Sequence, residues 1–208
     1  MKTILLFLCC CCCIPAVYGQ SHKQWSLTEY PDSVGQNSNL YGFTVDQSGN
    51  SFCIQHEVHN TNFSDLYRII SYNAQGQKRW TVCNDSCNGV TCYAAYLSLV
   101  PDQHGGVFAF SKVETLIGPI SQFVIRLEHI NASGTIVWTN NSFNHYTYGI
   151  ESIHPKMDAN GDLVVAMGGV LGLSTFADFC MAKFDTSNGK KKMAYRNSGS
   201  RAKCRSTG

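Results

Sequence analysis

Charge is what this sequence has least of. Only 14% of its residues are Asp, Glu, Lys or Arg, and the two signs nearly cancel to a net charge of +2. No face or stripe is basic enough to mark a nucleic-acid or anionic-membrane partner. The one basic cluster, Lys190 to Lys192 with an extension to Arg205, lies in a polar stretch and reads as solvated. Long apolar runs are missing too: nothing after Gly19 approaches the roughly 20 residues that a membrane-spanning helix needs. Recognised metal or nucleophile signatures are also lacking. "HEVH", at His56 to His59, has one residue too few between Glu and the second His for the helical zinc-protease motif, and in a strand the two His would face opposite ways. His104 reads as an ordinary turn residue, and His154, before Pro155, has no role legible in the sequence.

The opening segment from Met1 to Gly19, "MKTILLFLCCCCCIPAVYG", carries one Lys, an apolar run from Ile4 to Ile14 and then small side chains. This is the pattern of a secretory signal peptide with cleavage after Gly19. A lipoprotein reading fails on Leu6, Phe7 and Leu8, which stand where small residues would have to precede Cys9. The expected mature chain is extracellular, about 190 residues long, without a transmembrane segment, and of a size for one domain.

Of the eleven Cys, five fall within that leader. Cys53, Cys83, Cys87, Cys92, Cys180 and Cys204 remain, an even number that in a secreted chain favours disulfides. The cluster "VCNDSCNGVTC" has no fourth ligand at zinc spacing, so a local disulfide is the better reading. Six Cys allow 15 pairings, and the spacing does not choose among them. Sequons at Asn62, Asn84, Asn131 and Asn140 fit the same compartment and predict exposed backbone wherever a glycan is attached.

What the chain does have is a repeat. "VDQSGN" begins at Val45, "PDQHGG" at Pro101 and "MDANGD" at Met157, so that the step from the first copy to the second equals the step from the second to the third. Each copy has an apolar residue five positions before its Asp (Tyr41, Leu97, Ile153). Each is followed by an apolar run, Phe52 to Ile54, Val107 to Phe110 and Leu163 to Met167, which predicts a strand buried on both faces. A second strand-like run follows, "DLYRIISYN", "QFVIRLEHIN" or "DFCMAKFD", and closes on a second turn containing Gly76, Gly134 or Gly189. Four positions beyond each of these Gly stands Trp80, Trp138 or Met193. A further partial copy lies upstream, since the interval from Trp25 to Asp46 nearly matches those from Trp80 to Asp102 and from Trp138 to Asp158.

The spacing therefore predicts units of four strands. Asp46, Asp102 and Asp158 read as turn initiators rather than catalytic carboxylates: each accepts backbone amides two or three residues on, and the Gly that follows supplies a positive φ. The expected divisions are a leader over 1–19, repeats over 20–195 (about 26–80, 81–138 and 139–193) and a disordered basic tail over 196–208.

Two turns and a Trp in fixed order, with the strand "DFCMAKFD", resemble the SBBP-type β-propeller repeat from Trp25 to Met193. The resemblance implies an all-β fold of blades that bury their faces by stacking around an axis, about three of them here. Closed propellers usually have four to eight blades. The chain thus reads as a truncated propeller or one completed by association, and a β-trefoil is the alternative that closes with three units.

Chemistry is thinly represented. "DANGD", with Asp158, Asn160 and Asp162, offers the alternating oxygens that open many calcium loops. It has Leu163 in place of the expected Gly and Gly169 in place of the closing Glu. Arg68 and Arg126 hold equivalent strand positions and read as paired or lying along a blade edge. No cofactor is implied. Two functional classes remain. One is a non-catalytic recognition or scaffold module for an extracellular protein or glycan, with "WTNNSFNHYTYGI" as an adaptable polar surface. The other is part of a propeller enzyme, a hydrolase, lyase or quinone-dependent dehydrogenase. The shortage of acid/base candidates at equivalent positions favours the first.

Overall fold

A computed structural model describes residues 36–59, 64–83, 94–117, 120–143, 147–171 and 177–197. The expected leader over 1–19, Trp25, Cys87, Cys92, Cys204, Asn62 and Asn84 lie outside the described residues, as do residues 198–208. Within them the chain is all strand: β1 (Gln36–Val45), β2 (Ser51–His59), β3 (Ser64–Tyr72), β4 (Lys78–Cys83), β5 (Ala94–Pro101), β6 (Val107–Ile117), β7 (Ile120–Ile130), β8 (Ile136–Phe143), β9 (Thr147–Met157), β10 (Leu163–Leu171), β11 (Ala177–Phe184) and β12 (Lys191–Asn197). These form three antiparallel meanders, β1 to β4, β5 to β8 and β9 to β12. Each contains the four strands that the repeat predicts, in the predicted order. The last strand runs through Arg196 and Asn197, into the start of the stretch expected to be a tail.

The six turns explain why the meanders form. Gly49, Gly76, Gly105, Gly134, Gly161 and Gly189 all have positive φ, between 69° and 84°, a conformation costly for any residue with a Cβ. In the first turn Asp46 Oδ1 accepts the amides of Ser48 at 2.9 Å and Asn50 at 2.8 Å. Asp102 does the same with His104 and Gly106, and Asp158 with Asn160 and Asp162. The contacts therefore fall two and four positions on, not two and three. The amide between them is already used, since Gly49 N–H donates to the backbone carbonyl of Asp46 at 3.1 Å, and Gly161 repeats this with Asp158.

The sheets stack in chain order, with β5 packed between β1 and β9. Side chains alternate across a strand, so β6 sends Val107 and Ala109 toward the first sheet and Phe108 and Phe110 toward the third. Phe52, Ile54, Ile69 and Trp80 meet Tyr96, Val107, Ala109 and Ile130 at the first joint. Phe108, Phe110, Ile125 and Leu127 meet Leu163, Val165, Met167, Cys180, Ala182 and Phe184 at the second. Full burial of such side chains contributes about 1.5–3 kcal/mol each. Burial on both faces holds for β6, where Val107 to Phe110 are at most 1% exposed, but not for β10. There Leu163, Val165 and Met167 are buried while Val164 and Ala166 are only half-buried, because only one face of the third sheet meets another described sheet.

Each joint is locked at its outer edge. Trp80, on β4, donates its Nε1–H to Ala132 O in the second sheet at 3.0 Å, and Trp138, on β8, donates to Thr186 O in the third at 3.1 Å. Arg79 adds bonds to Gly105 O at 3.0 Å and Ala132 O at 2.8 Å, reaching both turns of the neighbouring sheet. Met193, the third member of the Trp series, is 47% exposed.

Candidate functional site

The first joint contains the greatest concentration of buried polar groups among the described residues. On β6, Ser111 is fully buried and pairs across the sheet with Tyr96 on β5 and Arg126 on β7. Glu128 lies two positions beyond Arg126 on the same face. Its carboxylate accepts the Tyr96 hydroxyl at 3.4 Å and stands 3.9 Å from Arg126 Nη1. Burial pushes the Glu128 carboxyl above the ordinary carboxylate range, and Arg126 offsets this only in part. Burial, and then the Glu128 charge, pushes the Tyr96 phenol strongly upward. Across the joint His56 stacks on Tyr67, with ring centroids 4.3 Å apart, and meets the edge of Tyr41 at 5.2 Å.

A shifted carboxyl and a shifted phenol are the makings of acid/base chemistry, but these are closed off. Tyr96 is 1% exposed and Glu128 4%, so no substrate reaches them in this arrangement. The group is instead an internal polar network of the second sheet, carried by β5, β6 and β7 on the face turned toward the first sheet. Arg68 makes a similar pair, with Nη2 2.9 Å from Glu57 Oε2. The two equivalent arginines are therefore each paired with a buried glutamate. Sequence reasoning found the arginines and missed Glu57, Glu128, Tyr96 and Arg79. Arg126 and Glu128, two apart on an otherwise apolar strand, were the available signal.

The acidic turn is also committed internally. Asp158 Oδ2 meets Lys183 Nζ at 2.7 Å, and Asp162 meets Lys183 at 2.9 Å and Lys192 at 2.6 Å. With Asp158 Oδ1 on the turn amides, all four carboxylate oxygens are engaged. A calcium ion would have to displace two ammonium groups. The hydrogen bond from Lys183, then the Asp162 amide, holds the Asp158 carboxyl below its ordinary value; Lys192 and then Lys183 do the same for Asp162. Asp185 is lowered to about 2 by the Ser187 hydroxyl first, then the Ser187 amide and Lys192. Asn160 contributes its amide to the turn, and among the described residues no group of His, Cys, Asp and Glu is arranged to hold a metal.

The remaining candidates are dispersed. His104 is exposed in its turn and His154 is exposed on β9. Cys53 donates weakly to Ile70 O at 3.6 Å, Cys180 is buried in the second joint and Cys83 is exposed at the end of β4. Asn131 is the capping residue of a turn and Asn140 lies on β8. Among the described residues no helix is long and apolar enough to cross a membrane. Neither the protein-family models nor the curated proteins contain a match to the chain.

Proposed function

We propose that this chain is a secreted, non-catalytic recognition or scaffold module whose three sheets are blades of β-propeller type. The repeated joint carries this reading: each of the first two four-stranded meanders lays one face on the next, and a Trp from its last strand is seated on the next unit's second turn. First strands lie together, as they do around a propeller axis. A trefoil would need strands of different units to pair in one barrel, whereas among the described residues every ladder stays within its own meander. The leader pattern and the sequons support secretion.

A non-catalytic role is favoured because the titratable groups are used internally. Glu57, Glu128, Asp102, Asp158 and Asp162 are each held by a cation or a His within their own sheet. Recognition would fall to the loops at the ends of the sheets, where a rigid scaffold can present variable side chains. The mature segment, produced by secretion and sized in solution, should bind a subset of an extracellular-protein or glycan array without turnover. Turnover dependent on a metal or quinone would defeat the proposal.

A further inference from the structure

An N-linked oligosaccharide is attached through the side-chain nitrogen of a sequon Asn, so the fate of each Nδ2 decides which sequon a folded molecule can carry in modified form. Two sequons lie among the described residues, Asn131-Ala-Ser133 and Asn140-Asn-Ser142.

Asn140 stands two positions beyond Trp138 on β8 and so shares its face. Its Nδ2 donates to Gly189 O in the third sheet. That glycine is buried, and a Cβ placed on it would fall 2.5 Å from the Trp138 ring. A sugar on Asn140 Nδ2 would have to enter the joint that Trp138 and Gly189 close.

Asn131 is arranged in the opposite sense. Its Oδ1 accepts the amides of Ser133 and Thr135, both at 3.0 Å, and the Ser133 hydroxyl at 2.7 Å. Three bonds to the oxygen fix the amide plane and leave the nitrogen on the other side. The equivalent Asn73 donates its Nδ2 to Gln77 Oε1 at 2.9 Å. Position 135 holds the shorter Thr, and Asn131 itself is half-buried. Ala132 and Ser133 beside it are exposed.

We propose that Asn131 carries an N-linked glycan and that Asn140 does not, an inference that rests on the secreted reading. In the transfer, Nδ2 attacks the anomeric carbon of a polyprenyl-pyrophosphate-linked oligosaccharide. An N–C bond forms, the anomeric C–O bond breaks, the polyprenyl pyrophosphate leaves with the electron pair and the amide gives up one proton. No atom is oxidised or reduced. The glycan would project from the turn end of the second sheet, beside the carbonyl that receives Trp80 and Arg79.

The test is to express the full chain in eukaryotic cells, once behind its own segment from Met1 to Gly19 and once behind an established secretion leader. Enzymatic deglycosylation in heavy-oxygen water then marks each released Asn for peptide mass spectrometry. Asn131 is expected to be marked in most molecules and Asn140 in essentially none. Asn131→Gln should remove one glycan from the mass of the secreted protein, and Ser142→Ala, which abolishes the second sequon without altering the Asn140 amide, should remove none. Occupancy at Asn140, or an unmodified Asn131, in the secreted folded protein overturns the assignment. Retention of the first form with secretion and Asn131 marking of the second refutes the leader reading alone and supports the site.

Discussion

Trp80, on the last strand of the first sheet, ends against Gly134, in the last turn of the second. A Cβ on that glycine would stand 2.8 Å from the indole. Trp138 repeats the relationship with Gly189. Two separate demands thus fall on one residue type: a positive φ of 83° at Gly134 and room for an aromatic ring. Either alone would favour glycine, and together they tie each turn to a side chain from the preceding sheet.

This predicts a graded series in urea denaturation. Trp80→Ala should cost about 3–5 kcal/mol, as for other buried aromatic truncations. Trp80→Phe keeps much of the ring and should lose closer to the roughly 0.5–1.5 kcal/mol of a hydrogen bond. Gly134→Ala should cost at least the roughly 1–2 kcal/mol of the left-handed backbone, and more for the displaced ring. Met193→Ala, at a site that is 47% exposed, should change stability by no more than about 0.5 kcal/mol. Equal losses for Trp80→Ala and Met193→Ala would mean that the joint is not what the Trp series serves.

Arg79 should resist conservative replacement. Its guanidinium reaches the carbonyls of two turns, Gly105 and Ala132, and also Ser71 Oγ at 3.3 Å. Lysine offers a point charge without the planar fork. Arg79→Lys should therefore lose about 1.5–3 kcal/mol, the range for hydrogen bonds involving a charged group, measured against Lys78→Arg as a control on the same strand.

How much of this was legible beforehand depends on whether a feature is local. The turn glycines, their positive φ and the four-strand unit follow from residues within one repeat, and all could be read. The partners of Trp80 and Arg79 could not, because Ala132 and Gly105 lie a whole sheet away and are contacted through backbone carbonyls that no residue type announces. Glu128 with Tyr96 was hidden for a related reason: a buried acid looks like a solvated one until its neighbours are known. Asn140 was legible only as a sequon: it shares the face of Trp138, but that parity gains meaning only once this face is known to meet another sheet. The half-buried face of β10 was misjudged because its apolar run matches that of β6, and burial depends on what stands opposite.

Two carboxylates should give opposite pH signatures. Burial raises Asp102, but the His129 bond at 2.8 Å and the amides of His104 and Gly106 outweigh it and leave its folded pKa depressed. Its contribution is present above the unfolded value, about 3.9, and is lost as pH falls through the folded one. For Glu128 the folded pKa is raised. Relative to the unfolded state, the folded protein then loses stability as pH rises from about 4.3 through the folded value. Wild type minus Asp102→Asn should therefore shrink on acidification, and wild type minus Glu128→Gln should shrink as pH rises. Denaturation from about pH 3 to 7, spanning both unfolded values, checks both, and the same sign for the two differences would contradict the burial assigned to Glu128.

The acidic turn should ignore calcium in its native form. Lys183 and Lys192 supply its positive charge, and their own ammonium groups are stabilised in return, first by Asp158 for Lys183 and by Asp162 for Lys192. Calcium at millimolar concentration is expected to shift the thermal midpoint no more than magnesium does at equal concentration. Replacing both lysines by Gln strips the ammonium partners from Asp158 and Asp162 while leaving the Oδ1 turn bonds of Asp158 in place. That double variant should lose stability at neutral pH and recover part of it in acid, where like charges no longer repel. A calcium-specific rise in the native midpoint would instead show that the ion competes successfully with two ammonium groups, and the turn would then have to be regarded as a metal site.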